Sequence, residues 1–269
     1  ITELQLKLIE PPKSLYCFIF SARKALPCAS LVQKIKQNIP ALALEYMDRH
    51  SLALLQACRQ EKGPASGVPL FSEKTAHAFY LEIPFAEEKD LPLKMQELAD
   101  FLKEEKIDPN MVWTGVTAKE LQAMKNFRHA LPERVNGIVG QRKQKIPLLT
   151  KIGTDMAVPL EHLQPMLAFY NQQLAEKKLE FVIFGHIGDG HLHVNILPRS
   201  LAELQTAKEL YAVFAQKAVF FHGSVAAEHG IGKIKKHLLA LQYSAKELRQ
   251  MQQIKHYFDP AATRPRTNG

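Results

Sequence analysis

Short runs in which apolar and polar residues alternate predict a series of strands along the chain. Residues 1–9 (ITELQLKLI) alternate as a half-buried strand does, and the prolines at 11 and 12 end the run. Six further strands are predicted at residues 16–21, 41–47, 78–84, 154–159, 181–184 and 192–197. The run at 78–84 is the clearest, because aromatic and β-branched residues alternate there with polar ones.

Apolar residues three or four positions apart predict helices between these strands. The predicted helices lie at residues 31–39, 90–106, 118–135, 160–178, 201–221 and 245–258. Pro132 is expected to kink or break the third of them, because proline removes a helical hydrogen bond. Residues 63–72 contain Gly, Pro and Ser and are predicted to form a loop.

The order of these elements predicts an α+β fold. Strand–helix–strand units occur twice with hairpins among them, which is typical of a ferredoxin-like plait. We expect a largely antiparallel sheet covered by helices that pack over one face. Duplication of one unit would produce this order, although the sequence contains no strict repeat.

Composition and charge narrow the classes of function. The 269 residues are 46% hydrophobic and 23% charged, which is typical of a globular protein and excludes a disordered or fibrous chain. Lys and Arg number 35 against 27 Asp and Glu, giving a net charge of +8. The basic residues are scattered and lack the interleaved aromatics of an RNA-binding surface. A cationic funnel for a small carboxylate substrate is therefore favoured over nucleic-acid binding.

Three features of the sequence bear on where the protein works. Cys17, Cys28 and Cys58 are odd in number and form no CxxC pair, which argues against a disulfide framework and fits a reducing compartment. The sequence contains neither a signal peptide nor a run of about 18 apolar residues, so we expect a cytoplasmic protein. The first residue is Ile rather than Met, and we therefore expect a piece of a longer protein.

Residues 185–195 (GHIGDGHLHVN) carry the clearest chemical pattern. Three glycines in six residues predict a sharp turn between two strands. Beyond the turn, strand alternation places His191, His193 and Asn195 on one face and apolar residues on the other. Surface histidines on a glycine-rich hairpin are the alternative. Three histidines and an aspartate within eight residues favour a metal or substrate site.

Residues 223–233 (GSVAAEHGIGK) hold a second group, the adjacent Glu228 and His229. Neighbouring side chains on an extended chain point apart, so we expect one of them to coordinate a metal while the other faces the substrate. The alternative is a helix start at which Glu228 complements the helix dipole.

Two histidines and a glutamate would suit Zn²⁺ or a similar divalent ion, and three protein ligands leave a coordination position open. Such an ion can chelate a 2-hydroxy acid and lower the pKa of its hydroxyl, whose proton a nearby histidine can take. Oxidation of a hydroxy acid also needs a hydride acceptor. The sequence has no GxGxxG after a strand and no P-loop, so we expect the acceptor to come from elsewhere.

The segments GHIGDGHLHVN and GSVAAEHGIGKIKKHLL resemble the paired motifs of the C-terminal domain of FAD-linked oxidases, in the vanillyl-alcohol oxidase superfamily. LQYSAKELRQMQQIKHYFDP resembles the last helix of that domain, and ITELQLKLIEPP is similar to the strand that leaves the FAD-binding domain. The resemblance covers residues 1–269. It implies a substrate and cap domain without the FAD-binding domain that precedes it in the family.

The resemblance also implies roles for individual residues. His186, His193 and Glu228 match metal ligands of the family. His229 matches the histidine that takes the substrate hydroxyl proton while hydride passes to the flavin. The positions that match substrate-binding residues are Arg128, Lys151 and Asn195. His191 stands where many relatives have asparagine, and the tail at residues 261–269 departs from the usual Asn-Pro-Gly-Lys ending.

The function implied is the substrate- and metal-binding part of an FAD-dependent D-2-hydroxy acid dehydrogenase of the D-lactate or glycolate type, inactive without its FAD domain. The cofactors implied are FAD and a divalent metal, with Zn²⁺, Mn²⁺ and Fe²⁺ all open. The partners would be an FAD-binding domain or subunit and an electron acceptor such as a cytochrome, a quinone or an electron-transfer flavoprotein.

Association into a homodimer through exposed sheet edges and peripheral contact with a membrane also stay open. Three other functions remain as alternatives to the dehydrogenase. The first is a metal-binding or interaction module without catalysis of its own. The second is a metal hydrolase, because a metal ion with an open position also activates water. The third is a basic RNA-binding protein, whose binding would depend steeply on salt.

Overall fold

The computed structural model describes residues 3–8, 12–21, 28–63, 68–69, 71–72, 74–232 and 235–260. Within these residues the strands are β1 (Lys13–Ser21), β2 (Ala43–Asp48), β3 (His77–Phe85), β4 (Val112–Gly115), β5 (Ile152–Gly153), β6 (Phe181–Gly185) and β7 (His193–Ile196). The α-helices are α1 (Cys28–Asn38), α2 (Arg49–Lys62), α3 (Leu91–Glu104), α4 (Ala118–Lys145), α5 (Leu160–Glu176), α6 (Leu201–Phe220), α7 (Leu239–Gln242) and α8 (Ala245–Phe258).

The described strands form one seven-stranded sheet in the order β4-β1-β3-β2-β6-β7-β5. Each pair of neighbouring strands is antiparallel. This confirms the predicted α+β fold with a largely antiparallel sheet. The pairing of β2 with β6, through Tyr46–Gly185 and Met47–Phe184, joins the strands of the first half of the chain to those of the second. We call this pairing the β2–β6 seam.

Helices cover both faces of the sheet, so the expectation of helices over one face is wrong. One core lies between the sheet and α1, α3, α5 and α6, and a second lies between the sheet and α2 and α4. Along β3, Phe79 and Leu81 contribute to the first core, while Ala78 and Tyr80 contribute to the second. β1 is buried at six consecutive positions. Such a continuous apolar run is typical of a strand covered on both sides.

Five of the predicted strands and all six predicted helices overlap elements of the structure, but the first predicted strand does not. Residues 3–8 have no strand partner among the described residues. Leu4, Leu6 and Leu8 are exposed there. Apolar alternation alone forms no strand unless a neighbouring edge supplies hydrogen bonds. The sequence analysis also did not identify α2, α7, β4 or β5.

The strand predicted at residues 154–159 is wrong too. Strand structure ends at Gly153, and the backbone beyond it makes single bonds to different neighbours. The N–H of Thr154 donates to the carbonyl of Val194, and Ala157 bridges to both His191 and Ser224. The segment with the alternating pattern therefore lies between the loop at His191 and the loop at Ser224, and it does not pair along its length with one strand.

Pro132 does not break its helix, because α4 continues to Lys145. The ring removes the hydrogen bond that an N–H at 132 would give to the carbonyl of Arg128, four residues earlier. The rest of α4 offsets this loss. A capping box of Thr117 and Glu120 starts the helix. Its buried face then packs against the sheet through Met124, Phe127, Leu131 and Val135. Among the described helices, none is long and apolar enough to cross a bilayer.

Candidate metal centre

A tight turn joins β6 to β7 and carries the first histidine of the predicted site. The strand ends at Gly185, His186 follows, and a single 3₁₀ turn leads to Gly190. Gly190 has a φ of +64°, and a Cβ there would lie 1.9 Å from the carbonyl oxygen of Val158. Only glycine fits this position without moving the backbone. The predicted glycine-rich turn between two strands is confirmed.

The predicted alternation after the turn is confirmed as well. Val194 and Ile196 enter the core beneath α5 and α6. His193 and Asn195 pair with Phe184 and Val182, whose side chains pack in the core beneath α2 and α4. Because paired residues share a face of the sheet, the two polar side chains lie on the α4 side.

Two histidines and one glutamate converge at this face. The ligand atoms of His186, His193 and Glu228 all lie within 4.8 Å of one another. The Nε2 atoms of His193 and His186 are 3.1 Å and 3.5 Å from the two carboxylate oxygens of Glu228. The structure thus brings together the three residues that the sequence analysis assigned to a metal. Two imidazole nitrogens and a carboxylate oxygen are ligands that Zn²⁺ commonly has in proteins.

Glu228 and His229 do not point apart, so the premise of an extended chain is wrong. Residues 227–229 form a bend, and the Nε2 of His229 lies 2.9 Å from Oε1 of Glu228. Among the described residues, Glu228 also does not start a helix, since the bend is followed first by a 3₁₀ turn at Lys236–Leu238 and then by α7. Both side chains therefore lie at one place, with His229 the more exposed of the two. Lys233, at the end of this motif, lies outside the described residues.

A buried carboxylate, Asp155, holds the backbone of this bend. It accepts hydrogen bonds from the N–H groups of Glu228 and His229, each at 3.1 Å, and from Nζ of Lys235 at 2.7 Å. Burial would raise the pKa of Asp155, but the bonds from Lys235 and the backbone outweigh burial and hold that pKa below its usual range. Sequence reasoning gave Asp155 no role. A charged residue next to the apolar run Met-Ala-Val was the available indication.

The rings of His193 and His191 each face two polar neighbours. The Nδ1 of His193 lies 3.0 Å from the carbonyl oxygen of Thr154, which leaves its Nε2 toward Glu228. His191 is buried, with Nε2 3.3 Å from Asp155 and Nδ1 3.9 Å from Glu228. Burial and the neighbouring His193 lower the pKa of His191, so its neutral form is favoured. His191 lies behind the group of three rather than within it.

A cavity of about 380 Å³ opens beside His186 and is also lined by Arg128 and Glu45. Arg128 extends from α4 and forms an ion pair with Glu45 on β2. Burial would raise the pKa of Glu45, yet contacts with His186 and Arg128 outweigh it and hold the pKa below its usual range. The structure therefore places Arg128 in the same cavity as the histidine. Glu45 was missed in the sequence, where it stands alone among apolar residues in ALALEYM.

The other two residues expected to bind substrate come from the edge of the sheet next to β7. Asn195 is buried on β7, opposite Gly153 of β5. Lys151 precedes β5 and is half-buried, and this burial lowers its pKa. Of the three residues expected to bind substrate, Arg128 lines the cavity that opens beside His186.

Comparisons with known proteins agree on one family. The family described as "FAD linked oxidases, C-terminal domain" matches residues 13–263. A D-lactate dehydrogenase of Anaerostipes hadrus is 29% identical over 269 residues, covering 97% of this chain and 53% of that protein. A D-2-hydroxyglutarate dehydrogenase of Xanthomonas citri pv. viticola is 38% identical over 117 residues, covering 41% of this chain and 25% of that protein.

Glycolate oxidase subunit GlcD of Bacillus subtilis is 25% identical over 264 residues, covering 97% of this chain and 52% of that protein. The chain spans about half the length, or less, of these relatives. Among solved structures, 4-ethylphenol oxidase from Gulosibacter chungangensis matches with a TM-score of 0.56 and 14% identity. It covers 93% of this chain and 52% of that chain, a likeness that concerns the fold.

Proposed function

The chain belongs to the family of C-terminal domains of FAD linked oxidases, and from this premise we propose that it is the substrate- and metal-binding part of an FAD-dependent D-2-hydroxy acid dehydrogenase. The family is one of oxidoreductases, and its curated relatives include enzymes named for D-lactate, D-2-hydroxyglutarate and glycolate. We propose that residues 1–269 form the substrate and cap domain and that a separate domain or subunit supplies most of the FAD site.

The observation that carries the proposal is the group formed by His186, His193 and Glu228 beside a cavity that contains a guanidinium. Its donor set fits a divalent ion, because neutral imidazoles and a carboxylate are the ligands that Zn²⁺ and Mn²⁺ take from proteins. A bound ion would polarise the hydroxyl of a 2-hydroxy acid and lower its pKa. FAD would accept the hydride from the substrate carbon.

The remaining roles fall to the chain's own side chains. Arg128 offers guanidinium N–H groups to the substrate carboxylate, for which a planar fork of donors is well suited. His229, exposed and next to Glu228, takes the proton from the substrate hydroxyl. Lys151 and Asn195 contact the substrate from the edge of the sheet. The net charge of +8 attracts an anionic substrate.

The surroundings of the enzyme follow from the same proposal. Reduced flavin must pass its electrons on, and a cytochrome, a quinone or an electron-transfer flavoprotein is the class of acceptor we propose. A cytoplasmic location and a homodimer complete the proposal. The free cysteines Cys17, Cys28 and Cys58 are all buried and unpaired with one another, which is compatible with a reducing compartment.

The test is the metal content of the purified chain and of two variants. His193→Ala removes one donor of the group, whereas His129→Ala removes an exposed histidine of α4 and serves as the matched control. We expect one Zn²⁺ or Mn²⁺ per chain in the wild type and the control, and none in His193→Ala. A wild-type chain that takes up neither ion would contradict the metal centre.

A metal-binding module without catalysis is the alternative, because the chain spans about half the length of relatives such as D-lactate dehydrogenase. The two are separated by adding a purified FAD domain of a relative, with D-lactate, glycolate or D-2-hydroxyglutarate and an artificial electron acceptor. Turnover that depends on both parts supports the dehydrogenase. Metal binding without hydroxy-acid binding supports the module, and turnover by the isolated chain contradicts the proposed division of roles.

A further inference from the structure

Glu45 is a charged residue in the middle of a buried strand. Its side chain belongs to β2, and the residue is 8% exposed. Burial of a carboxylate costs free energy unless cations or hydrogen-bond donors compensate it. Two groups do so here, the guanidinium of Arg128 and the imidazole of His186. Glu45 therefore lies between Arg128, which lines the cavity, and His186, one of the three proposed metal ligands.

The sheet itself determines this placement. At the β2–β6 seam Tyr46 pairs with Gly185, the last residue of β6, so Glu45 of β2 lies beside His186, which directly follows that strand. On its other side Glu45 pairs with Tyr80, and the guanidinium carbon of Arg128 lies 5.7 Å from the Tyr80 ring centroid. Ordinary strand pairing thus places the carboxylate beside the histidine, while packing on an aromatic ring places the arginine.

The two nitrogens of the His186 ring face two different carboxylates. Nδ1 lies 3.5 Å from Oε1 of Glu45, and Nε2 lies 3.5 Å from Oε2 of Glu228. His193 is arranged in the same way, since its Nδ1 faces the carbonyl of Thr154 and its Nε2 faces Glu228. A histidine that binds metal through one nitrogen usually donates the other N–H to a carboxylate or a carbonyl, which fixes its orientation. In both rings Nε2 is the nitrogen left for the metal.

We propose that Glu45 is the positioning residue of the metal centre. It accepts the Nδ1–H of His186 and turns Nε2 of that ring toward Glu228, while Arg128 compensates the remaining negative charge. One buried carboxylate then connects the metal-binding histidine with the arginine that binds the substrate carboxylate. This inference rests on the proposed function, and it assigns a role to a residue that contacts neither the metal nor the substrate.

The experiment measures the Zn²⁺ dissociation constant of the chain by competition with a chromophoric chelator. Glu45→Gln removes the charge and keeps the shape, whereas Glu45→Asp keeps the charge and withdraws the carboxylate by one methylene. Glu61→Gln is the matched control, because Glu61 also pairs with an arginine of α4, Arg134, away from the metal-type group. We expect Glu45→Gln to weaken Zn²⁺ binding about 10- to 100-fold, the usual effect of losing such a partner. Glu45→Asp should weaken it several-fold and Glu61→Gln should not change it.

Wild-type affinity in Glu45→Gln would overturn the inference. Wild-type Zn²⁺ affinity in Glu45→Asp together with weaker binding in Glu45→Gln would show that the negative charge is needed but that its exact position is not. This result would also overturn the inference. A wild-type chain that binds neither Zn²⁺ nor Mn²⁺ refutes the proposed metal centre itself, which is a different result. If Glu45→Gln fails to fold with Arg128 unpaired, the double variant Glu45→Gln/Arg128→Met removes both charges and carries the same expectation.

A spectroscopic readout separates positioning from a general effect on the fold. In the Zn²⁺-loaded wild type, the Nδ1–H of His186 should exchange slowly with water because a carboxylate accepts it. In Glu45→Asp, thermal stability should stay close to that of the wild type while this proton exchanges faster. An equal exchange rate in both proteins would count against the contact between Glu45 and His186.

Discussion

Replacement of Asp155 by asparagine should loosen the bend that carries Glu228 and His229. The carboxylate is 1% exposed and accepts three hydrogen bonds, two from backbone N–H groups and one from Lys235. Asparagine keeps one acceptor oxygen but presents an amide N–H₂ toward groups that are themselves donors. It also leaves the ammonium of Lys235, 18% exposed, without its anion.

The expected loss of stability follows from this arrangement. Removal of one partner of a buried ion pair typically costs about 3–5 kcal/mol, because the other charge remains unpaired. With urea as the denaturant, the unfolding midpoint should fall by roughly 1–2 M at a slope typical of domains of this size. The Zn²⁺ affinity should fall together with stability, because the backbone of Glu228 loses its anchor.

Equilibrium unfolding in urea, followed by circular dichroism, measures the change. Asp100→Asn is the matched control, because Asp100 is exposed on α3 and its carboxylate accepts from Gln96 in the same helix. The control should stay within about 0.5 kcal/mol of the wild type. An Asp155→Asn variant within about 1 kcal/mol of the wild type would refute the idea that this carboxylate holds the bend.

Three further predictions concern the rest of the fold. Burial raises the thiol pKa of Cys17 to about 12 and that of Cys28 to about 11. Neither thiol should therefore react with a disulfide reagent at pH 8 until the protein is unfolded in urea. Fast reaction of the native chain would contradict their burial. Pro132→Ala should restore the helical hydrogen bond to the carbonyl of Arg128 and raise the free energy of unfolding by about 1–3 kcal/mol, measured by thermal unfolding. An unchanged or lower melting temperature would mean that the proline ring itself contributes packing. Gly190→Ala should destabilise the chain by at least about 2 kcal/mol, because its Cβ meets the carbonyl of Val158 at a positive φ. The control Gly137→Ala lies on α4, where a Cβ meets nothing within 4 Å, and should stabilise the chain by about 0.5–1 kcal/mol. Equal effects of the two substitutions would argue against the clash at Gly190.

The local sequence pattern predicted the structure correctly where residues that are close in sequence are also close in space. The turn at 185–190 and the alternation after it could be predicted because glycine content and a period of two act within a few residues. The predicted grouping of His186, His193 and Glu228 came from family motifs, and the structure brings these side chains together. Whether they bind a metal stays a prediction.

The residues that support the site could not be predicted in this way. Glu45 reaches His186 only because β2 pairs with β6, and Asp155 reaches Glu228 from a distant segment. The strand expected at 154–159 failed for the same reason, since its residues bond to two separate loops. The break that was one of the two expectations at Pro132 does not occur, because packing on the sheet outweighs the loss of one helical hydrogen bond.

The β2–β6 seam has a consequence for the order of folding. β1, β2, β3 and β4 pair among themselves within the first half of the chain, and β5, β6 and β7 pair within the second. Contacts across the seam close a much longer loop than contacts inside either half, and a longer loop costs more chain entropy. We therefore expect the halves to form first and the seam to close late. The three proposed metal ligands all belong to the second half, but the contact between Glu45 and His186 forms only when the seam closes. An ion that binds tightly only after that step would slow unfolding without speeding folding.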